Sequence, residues 1–283
     1  MSRELPSFDL LVATVGRTHE LAHLLDSIDA QEYQRLRVIV VDQNDDERLG
    51  ETLARRPGQL VHLRAERGLS RARNVGLQAI GAELVAFPDD DCIYPPGLLE
   101  RVASRFAEDP HLDGIAGRAE DAEGVSSVSW KPDAAILTAE NLWNRANAAT
   151  IFLRRELVAR VGTFDERLGL GSGEPWSSGE ETDYLIRAVG TGARIAYDPE
   201  LVVQHDVRPD DARIGRRDGA SVGYLLRKHR YPARVVARMF VRPIGGALLA
   251  LVRLDPARAL YYAATLRGRL GGYLAASRSK DST

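Results

Sequence analysis

Short apolar runs alternate with segments of helical periodicity along the first hundred residues, and this alternation strongly constrains the fold. The apolar runs have the length of strands, and apolar residues recur every three or four positions in the segments between them. Such an order predicts an α/β fold with a mostly parallel, Rossmann-like sheet flanked by helices. The predicted strands are Leu10–Thr14, Arg37–Val41, Leu60–Leu63 and Glu83–Phe87. The predicted helices are Glu20–Ala30, Glu47–Arg56, Ser70–Ile80 and Gly97–Ala107, with Ser70 as N-cap and Gly81 as C-cap of the third.

The charge is divided between an acidic body and a basic tail. Residues 1–207 carry 22 Lys and Arg against 35 Asp and Glu, whereas residues 208–280 carry 16 against 4. A length of 283 residues accommodates one large α/β domain and an appendage. We therefore predict a domain over 1–207, whose strand–helix pattern loosens from about residue 114, and a mainly helical basic extension over 208–283.

The cysteine content and the lengths of the apolar runs indicate in which cellular compartment the protein is expected. The single cysteine, Cys92, excludes a disulfide within the chain and fits a reducing environment. The apolar runs Phe8–Val15 and Ile244–Leu251 are shorter than a spanning helix, so no transmembrane segment is expected. These features favour a cytoplasmic location.

Three consecutive carboxylates, Asp89, Asp90 and Asp91, follow the apolar segment that ends at Phe87. Acidic groups this close repel one another unless a cation neutralises them. Hard oxygen donors suit Mg²⁺ or Mn²⁺, which commonly bridge protein carboxylates and the phosphates of a nucleotide. The end of this strand is therefore a candidate metal and nucleotide site.

Polar side chains also follow the other predicted strands. In an open α/β sheet, ligands bind outside the carboxyl ends of the strands, so these residues are expected to share one crevice. Their hydroxyl, amide and carboxylate groups suit a base and ribose, and the arginines suit phosphate. They are Thr14 and Arg17 after the first strand, Asp42 and Asn44 after the second, and Arg71, Arg73 and Asn74 after the third.

Four ordered motifs resemble family 2 glycosyltransferases with a GT-A fold over roughly residues 8–207. They are Val40-Val41-Asp42, the segment Gly68-Leu69-Ser70-Arg71-Ala72-Arg73-Asn74-Val75-Gly76, Phe87-Pro88-Asp89-Asp90-Asp91, and Gly179-Glu180-Glu181-Thr182-Asp183-Tyr184. The resemblance implies an inverting transferase that uses a nucleotide-diphosphate sugar, with a UDP-sugar as the guess, and Mn²⁺ or Mg²⁺. It also implies a nucleotide-sugar half to about residue 113 and an acceptor half over about 114–207.

The same resemblance implies roles for individual residues. Asp42 would contact the base, and Asp89, Asp90 and Asp91 would bind ribose, diphosphate and metal. The acidic pair Glu180-Glu181 would supply the general base, although the commoner family pattern has aspartate at the second position. The turn after Asp42 also departs from the usual pattern, which leaves the nucleotide open.

Helical geometry ranks the carboxylates of the late helix, predicted over Glu180–Val189. Glu181 shares the stripe of Leu185 and Ala188, so it is expected to point inward. Glu180 and Asp183 lie on a polar stripe that is expected to be solvated. We therefore predict Glu181 as the base, with Asp183 and Glu180 as the other catalytic candidates.

Three further residues are site candidates. His205 follows a strand-like segment, and imidazole ligates Mn²⁺ alongside carboxylates, so we place it with Asp91 and Asp89 in the metal site. Asn147 and Trp176 are predicted on the acceptor side, where the indole would stack on a sugar face.

The basic tail leaves alternative functions open. A sugar-phosphate nucleotidyltransferase would need a richer glycine and cation signature after the first strand, and a nucleic-acid-binding module would need a recognisable motif in the tail. Neither is present, so no nucleic acid partner is expected.

Residues 227–274 intersperse arginines with apolar residues, with candidate interfacial helices at Ile244–Leu254 and Ala259–Leu274. This pattern predicts peripheral contact with the anionic cytoplasmic face of a membrane, with docking of the two helices on the domain or on a second subunit as the alternative.

Overall fold

The structure, a computed structural model, describes residues 5–56, 58, 60–126, 128–207 and 211–278. The chain forms two compact units. Met1–Phe164 and Tyr184–Val207 make up the first, called here the sheet unit, and Asp165–Asp183 and Arg208–Thr283 make up the second, called the helical unit. The helical unit thus includes a segment from within the predicted 1–207 domain. The domain assignment itself stays a prediction, and residues 208–210 at its boundary lie outside the described residues.

The sheet unit is built on a mixed nine-stranded sheet in the order β3-β2-β1-β4-β8-β6-β9-β5, with β7 paired to β9. The strands are β1 Phe8–Thr14, β2 Leu36–Asp42, β3 Leu60–Arg64, β4 Leu84–Ala86, β5 Cys92–Ile93, β6 Gly114–Glu120, β7 Ala135–Ile136, β8 Ile151–Arg154 and β9 Ile195–His205. The helices of this unit are α1 His19–Asp29, α2 Gly50–Ala54, α3 Leu69–Leu77, α4 Leu98–Glu108 and α5 Arg155–Val161. Helix α6, Glu180–Gly190, begins in the helical unit and continues into the sheet unit.

The four strands β3, β2, β1 and β4 run parallel, and β8 adds antiparallel to β4. Phe8, Leu10, Leu11 and Val12 of β1 are all fully buried. Burial on both faces is typical of a strand in the middle of an α/β sheet. The predicted α/β class with flanking helices is confirmed.

Strand register brings the predicted site residues to one edge of the sheet. Thr14 pairs with Asp42 across β1 and β2, and Asp42 pairs with Arg64 across β2 and β3. Because these strands are parallel, their carboxyl ends meet at the same edge. The short strand β5, absent from the sequence prediction, pairs antiparallel with the end of β9, with Cys92 opposite His205.

The predicted caps of α3 are wrong. The helix starts at Leu69 directly after Gly68, whose φ of 139° is a conformation that side-chain-bearing residues avoid. Ser70 therefore lies inside the first turn. The helix ends at Leu77, and the Gly81 N–H instead donates to the buried Asp9 carboxylate at 2.6 Å.

The helical unit contains α7 Ala212–Lys228, α8 Ala233–Val252 and α9 Pro256–Arg278, so the predicted helical extension is confirmed. Helices α7 and α9 pack with their backbones in contact at glycines. A Cβ added at Gly223 of α7 would lie 1.9 Å from the Arg269 carbonyl oxygen, and one added at Gly272 of α9 would lie 1.9 Å from the Ala220 carbonyl oxygen. Only glycine permits this approach, as in small-residue helix interfaces generally.

The extent of α8 corrects the sequence analysis. The predicted interfacial helix started at Ile244, whereas α8 starts at Ala233 and has 20 residues. Within the described residues, α8 is the one helix long and apolar enough to cross a membrane by length and composition. Only 22% of its most apolar window is buried, so α8 is not a typical core helix.

We predict that Gly272→Ala will destabilise the helical unit by about 1–3 kcal/mol, because the added methyl overlaps the backbone of α7. The neighbouring Gly271→Ala is the matched control, since its Cβ would meet nothing within 4 Å and alanine favours the helix. Thermal and urea unfolding of both variants measure the difference. Equal stability of the two variants would contradict the close packing of α7 on α9.

Candidate functional site

The acidic run lies between β4 and β5, next to the end of β9. The pairing of Cys92 with His205 places the imidazole beside the carboxylates. His205 Nε2 is 3.2 Å from an Asp91 oxygen and 3.8 Å from an Asp89 oxygen. One ligand atom from each of these three residues lies within 4.8 Å of the others. The structure therefore brings together the three residues predicted to bind a metal.

The chemistry of this donor set fits a divalent cation. The carbonyl oxygen of Asp206, 3.0 Å from His205 Nδ1, accepts a hydrogen bond from that nitrogen, so the neutral ring turns the Nε2 lone pair toward the carboxylates. A lone pair facing carboxylates requires a cation or a proton between them. Burial opposes the charged imidazolium, but the carboxylates of Asp91 and Asp89 outweigh burial and raise the pKa of His205. Two carboxylate oxygens and one imidazole nitrogen suit Mn²⁺ or Mg²⁺.

Residues at the end of β1 hold the middle carboxylate. The Thr14 hydroxyl donates to Asp90 at 2.7 Å, and Arg17 Nη1 lies 2.7 Å from Asp90 and 2.6 Å from Asp91. Burial raises the pKa of Asp90, and the bonds from Thr14 and Arg17 oppose that rise. Thr14 and Arg17 thus contact the acidic run directly, as expected for side chains that share one crevice.

Helix α3 supports the run from the other side. Arg73 is buried, its Nη2 is 3.2 Å from Asp89, and its guanidinium lies over the Phe164 ring. The Asn74 side chain donates to and accepts from the Phe164 backbone, at 3.1 and 2.8 Å. Arg71 is partly exposed, and its Nη1 donates to the Arg67 carbonyl oxygen at 2.9 Å. In the structure, Arg73 holds Asp89 in place. Asn74 anchors the backbone at Phe164. Nucleotide binding by Arg71, Arg73 and Asn74 stays a prediction.

The end of β2 carries a second buried carboxylate. Asp42 accepts from the Asn44 backbone and side chain at 2.8 and 2.7 Å, and its other oxygen is 3.1 Å from His62 and 3.0 Å from Arg64. The Asn44 side chain in turn accepts from the Gly16 N–H at 2.7 Å. Sequence analysis missed His62 and the contact of Arg64 with Asp42. The parallel register of β3 beside β2 was the signal that could have identified them.

The first turn of α6, described here within the helical unit, differs from the prediction. Asp183 is fully buried, with Lys228 Nζ at 2.6 Å and His229 Nε2 at 2.7 Å. Glu180 is also buried, whereas Glu181 is half-buried. The expectation that Glu180 and Asp183 are solvated is therefore wrong, and Glu181 is the least buried of the three carboxylates. Asp183 tolerates burial because the end of α7 supplies the Lys228 ammonium and the His229 ring nitrogen as bonding partners.

The loop before α6 is also tied to α7. Ser178 donates to Asp218 at 2.9 Å and its hydroxyl lies 2.7 Å from that of Ser221. Lys228 also bonds Asp165 at 2.7 Å, and burial of Asp165 is outweighed by bonds from Arg167 and Lys228 that lower its pKa. The segment carrying Glu180 and Glu181 is therefore held on α7 at residues 178 and 183, on both sides of the acidic pair.

The predicted acceptor residues have structural contacts of their own. The Trp176 indole stacks on the Tyr224 ring with centroids 4.6 Å apart, so one of its faces is covered. The Asn147 side chain caps a 3-10 turn by accepting from the Ala149 N–H at 3.0 Å. Contact of either residue with an acceptor stays a prediction.

The sequence pattern described as "Glycosyl transferase family 2" matches residues 9–163, more than half of the chain. This match includes the ends of β1, β2 and β4, where the buried carboxylates lie. The chain therefore belongs to glycosyl transferase family 2, which confirms the resemblance and disfavours a nucleotidyltransferase.

Two curated relatives are glycosyltransferases by name. The pre-mycofactocin glycosyltransferase of Mycobacterium tuberculosis is 28% identical over 242 residues, which cover 78% of this chain and 47% of that protein. Glycosyltransferase AglE of Haloferax volcanii is 22% identical over 221 residues, covering 74% and 70% of the two chains. The chain thus spans about half the length of the mycobacterial relative.

Solved structures share the fold at low sequence identity. The mannosyltransferase PcManGT from Pyrobaculum calidifontis, in complex with GDP-Man and Mn²⁺, has a TM-score of 0.68 at 18% identity, over 95% of this chain and 87% of that one. Residues 1–349 of TarS from S. aureus, in complex with UDP-GlcNAc, have a TM-score of 0.59 at 17% identity, over 98% and 92% of the two chains. These matches support the predicted GT-A architecture.

We predict that Asp91→Asn will weaken Mn²⁺ binding at least about tenfold, or about 1.4 kcal/mol, because a neutral amide replaces one of the three candidate ligands. Isothermal titration of the purified protein with Mn²⁺ measures this affinity directly. Glu51→Gln, which removes an exposed carboxylate on α2, is the control and is expected to bind as wild type. Unchanged Mn²⁺ affinity in Asp91→Asn would show that the metal binds elsewhere.

We predict that Lys228→Met will lower the free energy of unfolding by about 3 kcal/mol, because the buried Asp183 and its neighbour Asp165 lose their shared cation. Lys228→Arg keeps the charge and is expected to restore most of that loss. Arg213→Met removes a cation from the exposed start of α7 and serves as the control. A Lys228→Met variant that unfolds with wild-type stability would mean that the ion pairs contribute little.

Proposed function

We propose that the chain is an inverting glycosyltransferase that moves a sugar from a nucleotide-diphosphate sugar to an acceptor hydroxyl. The observation that carries this proposal is the cluster of Asp89, Asp91 and His205 at the carboxyl edge of a family 2 sheet. Both structural neighbours described above have nucleotide-diphosphate sugars bound, one of them with Mn²⁺. A UDP-sugar is the first donor to test and a GDP-sugar the second.

The proposed donor site is the edge of the sheet at β1, β2 and β4. Asp42 would accept hydrogen bonds from N–H groups of the base, with His62 and Arg64 holding its carboxylate in place. Asp89, Asp91 and His205 would hold a divalent cation, and Asp90, fixed by Thr14 and Arg17, would keep the run oriented. When bound, the cation supplies positive charge against the diphosphate leaving group. Arg17 is partly exposed and can add a second positive charge there.

The proposed reaction is a single displacement. The acceptor oxygen forms a bond to the anomeric carbon as the bond from that carbon to the diphosphate oxygen breaks, and Glu181 takes the proton of the acceptor hydroxyl. Among the three carboxylates of this turn, Asp183 already bonds the Lys228 ammonium and the His229 imidazole and is the least suited to accept a proton. Glu181 is the most exposed of the three, and the N-terminus of α6 favours its ionised form.

We propose a setting for this activity as well. The acceptor is a glycan or glycolipid of bacterial cell-surface polysaccharide or glycolipid synthesis, and the protein works in the cytoplasm on the face of the membrane. The basic, apolar tail supports a membrane-bound acceptor, since such tails bind anionic lipid surfaces. A panel of UDP-, GDP- and other nucleotide sugars, each incubated with Mn²⁺ or with EDTA, tests the donor. Absence of any nucleotide release above background would overturn the proposed function.

We predict that Glu181→Gln will lower turnover by about 10²–10⁴-fold with donor affinity unchanged, because the amide keeps the shape of the side chain and cannot accept the proton. Glu180→Gln and Asp183→Asn are the comparison variants, and Asp183→Asn is expected to lose stability as well as activity. Turnover, donor binding and unfolding are measured for all three variants. Near-wild-type turnover in Glu181→Gln, with a stable but inactive Asp183→Asn, would transfer the role of base to Asp183.

A further inference from the structure

Helix α8 has two apolar faces, and its inner face accounts for its packing. The buried residues of this helix recur at helical spacing along one stripe, and Gly246 in the same stripe lies against the Tyr262 ring of α9. These buried residues are Val235, Met239, Pro243 and Ala250. This stripe is enough to attach α8 to the rest of the helical unit.

The opposite side of α8 exposes large apolar residues to solvent. Val241 is 61% exposed, Ile244 44%, Leu248 61% and Val252 80%. Their spacing of three, four and four residues puts them on one stripe, named here the outer stripe of α8. Leu249, Leu251 and Leu254 beside it are also more than half exposed. Soluble proteins rarely expose contiguous apolar surface of this kind unless it binds something.

Cations flank the outer stripe. Arg234, Arg238 and Arg242 are exposed and follow one another at four-residue spacing along its edge. Residues 233–278 contain eight arginines and one acidic residue, Asp255. Helix α9 repeats the pattern, since Leu260, Leu270 and Leu274 are exposed on the side that also carries Arg267.

We propose that the outer stripe of α8 binds an anionic lipid bilayer, with α8 lying in the plane of the membrane surface. In this arrangement the outer stripe enters the acyl region, and the flanking arginines meet lipid phosphates. The outer stripe is thus the surface that would produce the membrane location proposed above, whichever sugar or acceptor the enzyme uses.

A spanning orientation fits α8 less well. Twenty residues of helix are about 30 Å long, enough to cross the hydrocarbon region. However, Arg238 and Arg242 lie within the helix and would be placed inside that region, which is costly. The inner face of α8 is also occupied by protein contacts. An in-plane helix satisfies both constraints, because one side faces protein and the other faces lipid.

A second copy of the chain fits the outer stripe less well than lipid does. The commonest dimer brings the same patch of two subunits together around a two-fold axis. The arginines beside one outer stripe would then meet those of the other, with only Asp255 in each α8–α9 segment to neutralise them. Anionic lipid supplies the missing negative charge.

Flotation of the full chain with liposomes tests the proposal. One set of vesicles is phosphatidylcholine alone, and the other also contains anionic phosphatidylglycerol, whose negative surface potential attracts basic segments. Wild type is expected to float with the anionic vesicles and to be released in part by high salt. Leu248→Glu with Val252→Glu is expected to lower the partition coefficient at least about tenfold, because charged groups would have to enter the acyl region. Arg238→Gln with Arg242→Gln is expected to reduce binding to anionic vesicles only.

Val125→Glu, which changes an exposed apolar residue of the sheet unit, is the matched control and is expected to float as wild type. Both α8 variants alter exposed positions, and unfolding curves establish that they remain folded. Nucleotide release by the same variants without vesicles is expected to equal that of wild type, which separates this proposal from the proposed transferase activity. Light scattering measures the oligomeric state of wild type and of the Leu248→Glu, Val252→Glu variant.

Three kinds of result would overturn the proposal. The first is a flotation result, in which wild-type protein does not bind anionic vesicles or the Leu248→Glu, Val252→Glu variant floats as wild type does. The second is a wild-type dimer that this variant converts to a monomer, which would assign the outer stripe to a second copy. The third is wild-type protein in cell membranes that resists alkaline carbonate extraction, which would show that α8 spans the bilayer.

Discussion

Three adjacent carboxylates must be neutralised before the end of β4 can adopt its structure, and the surrounding groups of the sheet unit meet this need. Arg17 after β1 contacts Asp90 and Asp91, Arg73 on α3 contacts Asp89, and His205 at the end of β9 lies beside the outer two carboxylates. Each of these three side chains comes from a different part of the chain. The acidic run therefore joins the parallel half of the sheet to β9, and the same electrostatic demand makes this cluster a candidate metal site.

The part of this site that follows from parallel strands was predictable. The residues after β1, β2 and β4 share one edge because the carboxyl ends of parallel strands meet there, and only strand recognition was needed. The contact between His205 and Asp91 is different, because it depends on the antiparallel pairing of the two-residue strand β5 with β9. Two residues carry no periodic signal. Sequence analysis could therefore name His205 as a ligand from its chemistry, but could not derive its position.

The failed prediction for α6 has a specific cause. Helical periodicity assigns polar stripes to solvent, and this holds only where no partner element supplies opposite charge. Asp183 is fully buried because Lys228 neutralises it and His229 bonds the same oxygen. These two residues lie at the end of α7, 45 and 46 residues further along the chain. To predict that an acidic residue is buried, one must therefore know which helix packs against it. The glycines of α7, spaced at four-residue intervals, were a visible sign that one of its faces would be tightly packed.

Helix α7 both packs the helical unit together and holds the segment that carries the proposed base. One of its faces meets α9 through glycines, and the residues on its other side hold Ser178 and Asp183, on both sides of the proposed base Glu181. Both faces of α7 are therefore committed to internal contacts. Helix α8 differs from α7 because its inner stripe alone is sufficient for packing. The helical unit would fold equally well with polar residues on the outer stripe of α8. The exposed apolar outer stripe is thus not explained by folding, and a membrane contact there would leave the contacts of α7 with Ser178 and Asp183 unchanged.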